Sequence, residues 1–152
     1  MNRGYHEIKE HGKREFPFNI YPCSIPVDFS HVALHWHEEM EIIAVKKGKG
    51  RITVDTVSYP VEEGDILAVF PGQLHAISCG NGERMEYENI IFHPNMLISK
   101  KTDTCNTDYL VPLLSGNVSL PLLYTPDSPH YAEISACIDA NDEICKTYPS
   151  GY

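Results

Sequence analysis

The feature that most constrains this chain is a dense series of short β-forming runs between residues 16 and 92. Each run is rich in branched and aromatic side chains and is bounded by glycine, proline or acidic residues. We predict strands at 16–21, 32–36, 41–47, 50–54, 58–61, 65–70, 75–78 and 85–92. Strands this short and closely spaced are typical of a β-sandwich or barrel, because βαβ units need a helix between successive strands.

Three glycine-containing segments punctuate these runs. They are Lys47-Gly48-Lys49-Gly50, Glu62-Glu63-Gly64-Asp65 and Gly80-Asn81-Gly82. Glycine adopts positive φ at no steric cost, as tight hairpin turns require. We expect each segment to join two neighbouring strands of an antiparallel sheet.

The regions on either side of the β-runs differ in character. Residues 1–15 are charged and aperiodic, which predicts a flexible N-terminal arm. Prolines interrupt residues 95–128 and limit them to short helical turns and loop. A length of 152 residues fits one domain. We therefore expect an arm at 1–15, a β-barrel at 16–94, and an irregular segment with a helix at 95–152.

A helix is predicted to begin at Ser128-Pro129, where the serine can cap free N–H groups and the proline occupies the first helical position. Pro149-Ser150-Gly151 should end it. Its apolar side chains recur at spacings of three and four residues, at Ile134, Cys137, Ile138, Ile144, Cys145 and Tyr148. This stripe packs either on the barrel of its own subunit or on a partner chain.

Composition excludes several classes of function. The net charge of −9 opposes binding to nucleic acid by this chain alone. Five cysteines without a Cys-x-x-Cys pair indicate free thiols, each expected to be a small buried hydrophobe, in a reducing compartment. The segment from Met1 to Glu7 is polar and lacks the apolar stretch typical of a signal peptide, and no apolar run reaches the ~18 residues that a membrane span needs. We expect a cytoplasmic protein with no membrane partner.

Four side chains form a candidate metal site. His35 and His37 alternate on one strand and so face the same side, and Glu41 keeps that parity if the strand resumes after a distortion at Glu38-Glu39. His75 begins a strand after the turn at Pro71-Gly72. Three imidazoles and one carboxylate suit Zn, Ni, Fe, Mn or Cu. The alternative is a hydrogen-bonded polar cluster that lines a pocket.

The spacing of these residues resembles the two cupin motifs. His35, His37, Glu41 and Gly48 reproduce the first motif, although Phe29 stands where that family has its leading glycine. The second motif is matched by Gly64, Pro71-Gly72 and His75, with a one-residue shift after Gly64 and with Cys79 in place of asparagine. The resemblance implies a mostly β fold, a double-stranded β-helix or jelly-roll barrel, followed here by a C-terminal helical segment.

The surrounding residues resemble the N-terminal effector domain of AraC/XylS-type transcription regulators over residues 16–152. The segments that carry this resemblance are His35 to Ile43, Gly48-Lys49-Gly50, Glu63 to Leu67, Pro71 to His75 and Ile90 to Pro94. The family implies a barrel that binds a small molecule, an arm that can close over it, and helices that pair two subunits. It also implies a downstream DNA-binding domain. We therefore expect a homodimeric fragment that ends inside the dimerisation region.

Further candidate ligand-binding residues are Lys47, Tyr87 and Asn89. Tyr87, Asn89, Ile91 and His93 share one face of the last strand, and by resemblance that face looks into the barrel. Lys47 belongs either to a solvated turn or, by family position, to the barrel mouth, where it could recognise an acidic ligand. Trp36 alternates out of phase with the two histidines and is expected to pack in the core or on the barrel exterior.

Three functions remain open. The first is a non-enzymatic sensor domain that binds a small polar effector, such as a sugar, and reorients DNA-binding domains. The second is a metal-dependent cupin enzyme, a dioxygenase or an isomerase, that uses His35, His37, Glu41 and His75. The third is a dimerisation module with an empty barrel. Nucleophilic catalysis has no support, because no Ser-His-Asp or Cys-His arrangement appears.

Overall fold

The computed structural model describes residues 3–13, 16–98 and 103–147. Eight strands carry the fold, and their β-branched and aromatic residues suit half-buried pleated positions. The strands are β1 Phe18–Ile25, β2 Val32–His35, β3 Met40–Val54, β4 Val57–Glu62, β5 Ile66–Val69, β6 His75–Ser78, β7 Met85–Phe92 and β8 Leu123–Tyr124.

The strands form two antiparallel faces that share β3. The first face has the order β1-β7-β3-β5-β8, and in the second β2 pairs with β6, β6 with β3, and β3 with β4. Apolar side chains from both faces meet in one core that includes Ile43, Ile52, Leu67, Ile77 and Met85. The prediction of a mostly β jelly-roll barrel followed by a helical segment is confirmed.

Strand β3 passes from one face to the other without a hairpin. Its register slips between Val45 and Lys47, and Gly48 has φ +76° with its Cα beside the Arg84 carbonyl group. The predicted hairpin at Lys47-Gly48-Lys49-Gly50 is therefore wrong, because both glycines lie within one continuous strand, just after a bulge between Val45 and Lys47. The hairpin lies further on, where Val54 pairs with Val57.

The other two predicted hairpins are also wrong. Residues 63–65 lead from β4 in the second face to β5 in the first, and residues 79–84 lead from β6 in the second face to β7 in the first. Turn residues show that the chain reverses, but not which strands become hydrogen-bonded neighbours. In a jelly roll, consecutive strands can lie in opposite faces.

Short elements follow the barrel, as the prolines predicted. They are a 3₁₀ turn at Pro94–Met96, a π-helical turn at Cys105–Leu110 and helix α1 at Val111–Leu114. Strand β8 was not predicted. It adds two residues to the edge of the first face, where Ile66 pairs with Tyr124.

Helix α2 runs from Tyr131 to Thr147, a segment without proline or glycine, with Glu133 in its first turn and Lys146 in its last. It begins later than predicted because His130 has φ +62°, which is not helical. Ser128 does not cap it. The Ser128 hydroxyl instead accepts a hydrogen bond from the Thr125 N–H at 2.9 Å.

The apolar stripe of α2 packs on the outer surface of the first face of its own subunit. Ile138 is buried and, with Ile134, contacts a cluster that includes Ala44, Ile66 and Ile90. Cys137 is exposed and Ile144 is 50% exposed, so part of the predicted stripe remains uncovered. Tyr148 and the predicted helix end at Pro149-Ser150-Gly151 lie outside the described residues.

The cysteines and helices give two further results. All five cysteines are free thiols, but Cys105 and Cys137 are exposed and the other three are only half-buried. The expectation that each is a buried hydrophobe is therefore wrong. None of the helices in the described part of the chain has the length and apolar character that a membrane crossing demands.

Candidate functional site

The four predicted metal ligands meet at one end of the barrel. His35 ends β2, His75 begins β6, and these two residues pair directly across the strands. His37 lies just before the bend at Glu38-Glu39, and Glu41 lies at the start of β3. One ligand atom from each residue falls within a group whose members all lie within 4.8 Å of one another. The local strand pattern predicts that His35, His37 and Glu41 face the same side. The pairing of β2 with β6 adds His75 to them.

The carboxylate of Glu41 is the centre of this cluster. Its Oε2 lies 3.0 Å from His37 Nε2 and 3.0 Å from His75 Nε2. Glu41, His37 and His75 are at most 2% exposed, whereas the His35 side chain is 20% exposed. A buried carboxylate is costly unless it is paired. Glu41 is therefore held by histidines, and His35 forms the side open to a ligand.

The opposite ring nitrogen of each histidine contacts a backbone carbonyl oxygen. Nδ1 donates to Ala33 O at 2.8 Å in His35, to Glu39 O at 3.2 Å in His37 and to Gln73 O at 3.0 Å in His75. A carbonyl oxygen can only accept, so Nδ1 carries the proton in all three rings. This is the arrangement that orients metal-binding imidazoles in proteins.

These hydrogen bonds test whether a metal fits. A neutral imidazole with its proton on Nδ1 presents a lone pair at Nε2, and that lone pair approaches a carboxylate oxygen only when a proton or a metal cation lies between them. A metal about 2.0–2.2 Å from each ligand keeps the ligand atoms within roughly 4.4 Å of one another. The observed spread of 4.8 Å needs only a small contraction. The donor set therefore fits a divalent transition metal.

The pKa values of the cluster reflect this pairing. Burial acts to raise the pKa of Glu41, but hydrogen bonds from His37 and His75 outweigh it and hold the pKa at about 2. Burial acts to lower the pKa of His37, but the bond to Glu41 raises it overall. Burial, and then the neighbouring His75, lower the pKa of His35. The lowered pKa favours the neutral form of His35, which is the form that binds a metal.

A cavity of about 360 Å³ adjoins the cluster, and we call it the arm cavity. His35, Glu41, Tyr87 and Asn89 line its barrel side. The Tyr87 hydroxyl and Asn89 Oδ1 are buried, and neither hydrogen-bonds to any residue in the described ranges. Burial, and then the nearby Cys23 thiol, raise the pKa of Tyr87, so the phenol stays neutral. Both groups offer polar atoms to a molecule in the cavity.

Lys47 is not brought to this site. Its side chain is 72% exposed and its Nζ lies 3.6 Å from Glu86 Oε2. Before the bulge, the residues of β3 that point into the barrel have odd numbers, such as Ile43 and Val45. After the bulge they have even numbers, such as Ile52 and Val54. This change of parity removes Lys47 from the inner face. The structure therefore favours a solvated position over the barrel mouth.

The N-terminal arm forms the other wall of the arm cavity, in keeping with the closing arm that the family resemblance implies. The Trp36 N–H donates to Tyr5 O at 2.8 Å, and the Glu7 N–H donates to Trp36 O at 2.9 Å. Trp36 is buried, as expected, with the His6 ring stacked on it. The flexibility of the arm stays a prediction, but residues 3–13 lie against the barrel.

Two arm side chains belong to the site and were missed. Glu7 and His11 line the arm cavity, and His11 is 5% exposed. The His11 ring approaches Tyr21 Oη at 3.1 Å through Nδ1 and Glu7 Oε2 at 3.4 Å through Nε2. The hydrogen bond with His11 lowers the pKa of Glu7. The sequence around them has no periodicity, so only their four-residue spacing hinted at a shared role.

Comparison with solved structures finds similar barrels. A conserved protein of unknown function from Streptococcus pyogenes is 18% identical with a TM-score of 0.46, over 59% of this chain and 81% of that one. A cupin 2 conserved barrel domain protein from Salinispora arenicola CNS-205 is 21% identical with a TM-score of 0.45, over 62% of this chain and 71% of that one.

Comparison with known sequences identifies the family. The uncharacterized HTH-type transcriptional regulator YdeC of Bacillus subtilis (strain 168) is 24% identical over 134 residues. The match covers 88% of this chain and 45% of that protein, so the chain spans less than half the length of this relative. The AraC-like ligand binding domain family matches residues 26–140, which is most of the chain. The chain therefore belongs to the family of AraC-like ligand-binding domains.

Proposed function

We propose that this chain is the sensor domain of a transcription regulator and binds a small polar effector, such as a sugar, in the arm cavity. The observation that carries the proposal is the pair of buried, unpaired polar groups, Tyr87 Oη and Asn89 Oδ1, on the cavity wall. An unpaired buried group costs about 1–3 kcal/mol. An effector that hydrogen-bonds to both groups removes this cost, which favours a polar molecule over an apolar one.

Signalling would pass through the arm and the helices. An effector in the arm cavity would contact arm and barrel together and so shift the population of arm positions. DNA binding would fall to a separate domain of the full protein, in keeping with the helix-turn-helix description of the Bacillus subtilis relative. The net charge of −9 supports this division of labour. Such a regulator would act in the cytoplasm and as a homodimer.

We further propose that His35, His37, Glu41 and His75 hold a divalent metal, with Zn, Ni, Fe and Mn as the candidates. Bound there, the metal would supply a Lewis-acid position for an oxygen of the effector. The three Nδ1–carbonyl hydrogen bonds support this proposal, since they occupy Nδ1 in each ring and leave Nε2 as the nitrogen that can bind a metal.

The effector proposal is tested by thermal-shift screening against neutral monosaccharides, polyols and small hydroxy acids. A compound that binds at 100 times its Kd adds about 2.7 kcal/mol to the unfolding free energy. The rise in melting temperature that this compound causes should disappear in Asn89→Ala. It should persist in Asn81→Ala, because Asn81 lies in an exposed loop. Equal shifts in both variants would place the effector elsewhere. The absence of any shift would favour the empty dimerisation module.

A metal-dependent cupin enzyme is the second candidate, because the same four ligands could hold a catalytic metal. The two functions differ in the fate of the bound compound. A sensor returns its effector unchanged, whereas a dioxygenase consumes O₂ with its substrate and an isomerase converts it. Any compound that stabilises the protein should be incubated with the Fe²⁺- or Mn²⁺-loaded chain and analysed by NMR and an oxygen electrode. Conversion that His75→Gln abolishes would establish the enzyme.

A further inference from the structure

The arm places one carboxylate directly beside the histidine cluster. Glu7 Oε2 lies 3.8 Å from His35 Nε2, and the Glu7 side chain is 31% exposed. The ligand atoms of the cluster themselves lie up to 4.8 Å apart. Glu7 is therefore within reach of His35, but it lies outside the group of four residues whose ligand atoms all fall within 4.8 Å, so its carboxylate would have to move toward the cluster to join it.

We propose that Glu7 is a fifth ligand of the metal site and that metal binding thereby holds the arm closed on the barrel. The inference rests on the metal site proposed above. The inference adds a regulatory role for the metal. Besides binding an oxygen of the effector, the metal would connect the N-terminal arm to the barrel.

Charge balance favours this role. Three neutral imidazoles and Glu41 leave a divalent ion with a net charge of +1. A second carboxylate neutralises that charge in a site where water is largely excluded. Within the described residues that line the arm cavity, the remaining carboxylate is Asp28, and its Oδ2 already accepts a hydrogen bond from the Ser24 N–H at 2.7 Å. Glu7 is the better-placed group.

The backbone of the arm directs Glu7 toward the cluster. His6 bridges in parallel to Trp36, the residue between His35 and His37. The hydrogen bonds that flank this bridge join Tyr5 and Glu7 to the two sides of the Trp36 peptide. The register of the arm is thus tied to the same strand segment that carries two metal ligands.

His11 acts as a positioning residue for Glu7. Its buried ring lies between Tyr21 Oη, at 3.1 Å, and Glu7 Oε2, at 3.4 Å. With one ring nitrogen occupied by Tyr21, the other is left to restrain the Glu7 carboxylate. The arm is therefore preorganised to offer Glu7, which reduces the entropy cost of recruiting a ligand from a terminal segment.

Trp36 provides a reporter of arm closure that does not depend on effector or activity. It is the single tryptophan of the chain, and the His6 ring stacks on it at 4.2 Å with an interplanar angle of 19°. Acrylamide reaches the indole more easily when the arm leaves. A metal that holds the arm closed should therefore lower acrylamide quenching of Trp36 fluorescence.

The test compares the wild-type chain with Glu7→Gln, using Zn²⁺ as the probe in calorimetric titrations and in acrylamide quenching. Glu7→Gln keeps the size of the side chain and removes its charge. We expect Zn²⁺ affinity to fall about 10- to 100-fold. Saturating Zn²⁺ should protect Trp36 in the wild type and leave its quenching unchanged in Glu7→Gln. The matched control is Glu10→Gln, because Glu10 is exposed on the same arm.

The outcomes separate this inference from the metal site itself. If Zn²⁺ binds equally to all three proteins, or protects Trp36 equally in Glu7→Gln, the fifth ligand is overturned while the four-residue site stands. If the wild type binds no Zn²⁺, Ni²⁺ or Mn²⁺, both the four-residue metal site and the role of Glu7 as its fifth ligand are overturned. Circular dichroism of Glu7→Gln should match the wild type, since Glu7 belongs to the arm and not to the barrel core.

Discussion

At the scale of single residues, the unpaired hydroxyl of Tyr87 connects stability to binding. Tyr87 is 2% exposed and its hydroxyl has no hydrogen-bond partner within the described ranges. An unpaired buried hydroxyl lowers the free energy of unfolding of the free protein, and a ligand that hydrogen-bonds to it removes this penalty. Removal of the penalty therefore contributes to the binding free energy of the ligand.

Tyr87→Phe should stabilise the free chain and weaken effector binding. Removal of the unpaired hydroxyl should add about 1 kcal/mol to the free energy of unfolding, measured in urea. The control is Tyr59→Phe, because Tyr59 lies on β4 outside the arm cavity and should change stability by less than about 0.5 kcal/mol. A loss of stability in Tyr87→Phe would mean that the hydroxyl is paired after all.

Gly48 is the residue on which the change of face within β3 depends. It has φ +76°, and a Cβ there would overlap the Arg84 carbonyl oxygen. Gly82 has the same φ but nothing within 4 Å of its Cβ position. Gly82→Ala should cost about 1–2 kcal/mol from the positive φ alone. Gly48→Ala should cost at least about 2 kcal/mol more. Equal losses in urea denaturation would show that β3 can shift to avoid the overlap.

At the scale of elements, helix α2 is joined to the barrel by a cluster of charges. Lys46 Nζ on β3 lies 3.2 Å from Asp142 Oδ2 on α2 and 3.8 Å from Glu88 Oε1 on β7. Lys46 thus forms ion pairs with two carboxyl groups, and Lys146 on α2 lies near them. Burial, and then the hydrogen bond with Asp142, raise the pKa of Glu88 to about 7. Glu88 therefore holds a proton more tightly than an ordinary glutamate at this junction.

This junction should make stability fall as pH rises. The folded pKa of Glu88, about 7, lies above its ordinary value of 4.5. The folded chain therefore holds a proton that the unfolded chain releases, and stability decreases between pH 4.5 and 7. Glu88→Gln should reduce this decrease by on the order of 2 kcal/mol, judged from urea unfolding at pH 5 and pH 7.5. Glu86→Gln, on the same strand and exposed, should keep the wild-type profile.

At the scale of the whole molecule, the outer surface beside α2 bears on the proposed homodimer. A groove of about 470 Å³ runs between α2 and the first face, and its lining is mostly apolar. Ile144 and Leu97 border it and are 50% and 51% exposed. Exposed apolar residues beside a groove favour association. The pairing of subunits by helices, expected from the family resemblance, would use this surface.

Ile144→Asp should therefore shift the protein from dimer to monomer in analytical ultracentrifugation. The charge would be buried without a partner at the proposed interface, which typically costs several kcal/mol. Ala136→Asp is the control, because Ala136 is exposed on α2 outside the groove. Dimers that persist in Ile144→Asp, or a monomeric wild-type chain, would contradict this interface.

Local patterns identified the four residues of the metal-type cluster, and the pairing of β2 with β6 brings His75 to the other three. The alternation of His35 and His37, the resumption of the strand before Glu41 and the turn before His75 are all encoded within a few residues. The two-residue period predicted that Tyr87 and Asn89 share a face, and the family resemblance implied that this face looks into the barrel. The bulge between Val45 and Lys47 was not predicted, because one extra residue reverses the inward face without altering composition. Of the two positions that the sequence left open for Lys47, that reversal favours the solvated one.

By itself the sequence determined most strands of the barrel, the irregular segment, the approximate extent of α2 and the identity of the four candidate ligands, because each depends on neighbours or motif spacing along the chain. Tertiary structure alone decided which strands pair, that the glycine-rich segment at 47–50 continues one strand, and that the arm brings Glu7 and His11 to the histidines. These outcomes depend on contacts between residues far apart in the chain, such as Glu7 with His35. Their free energy comes from burial and charge pairing, which no local pattern records.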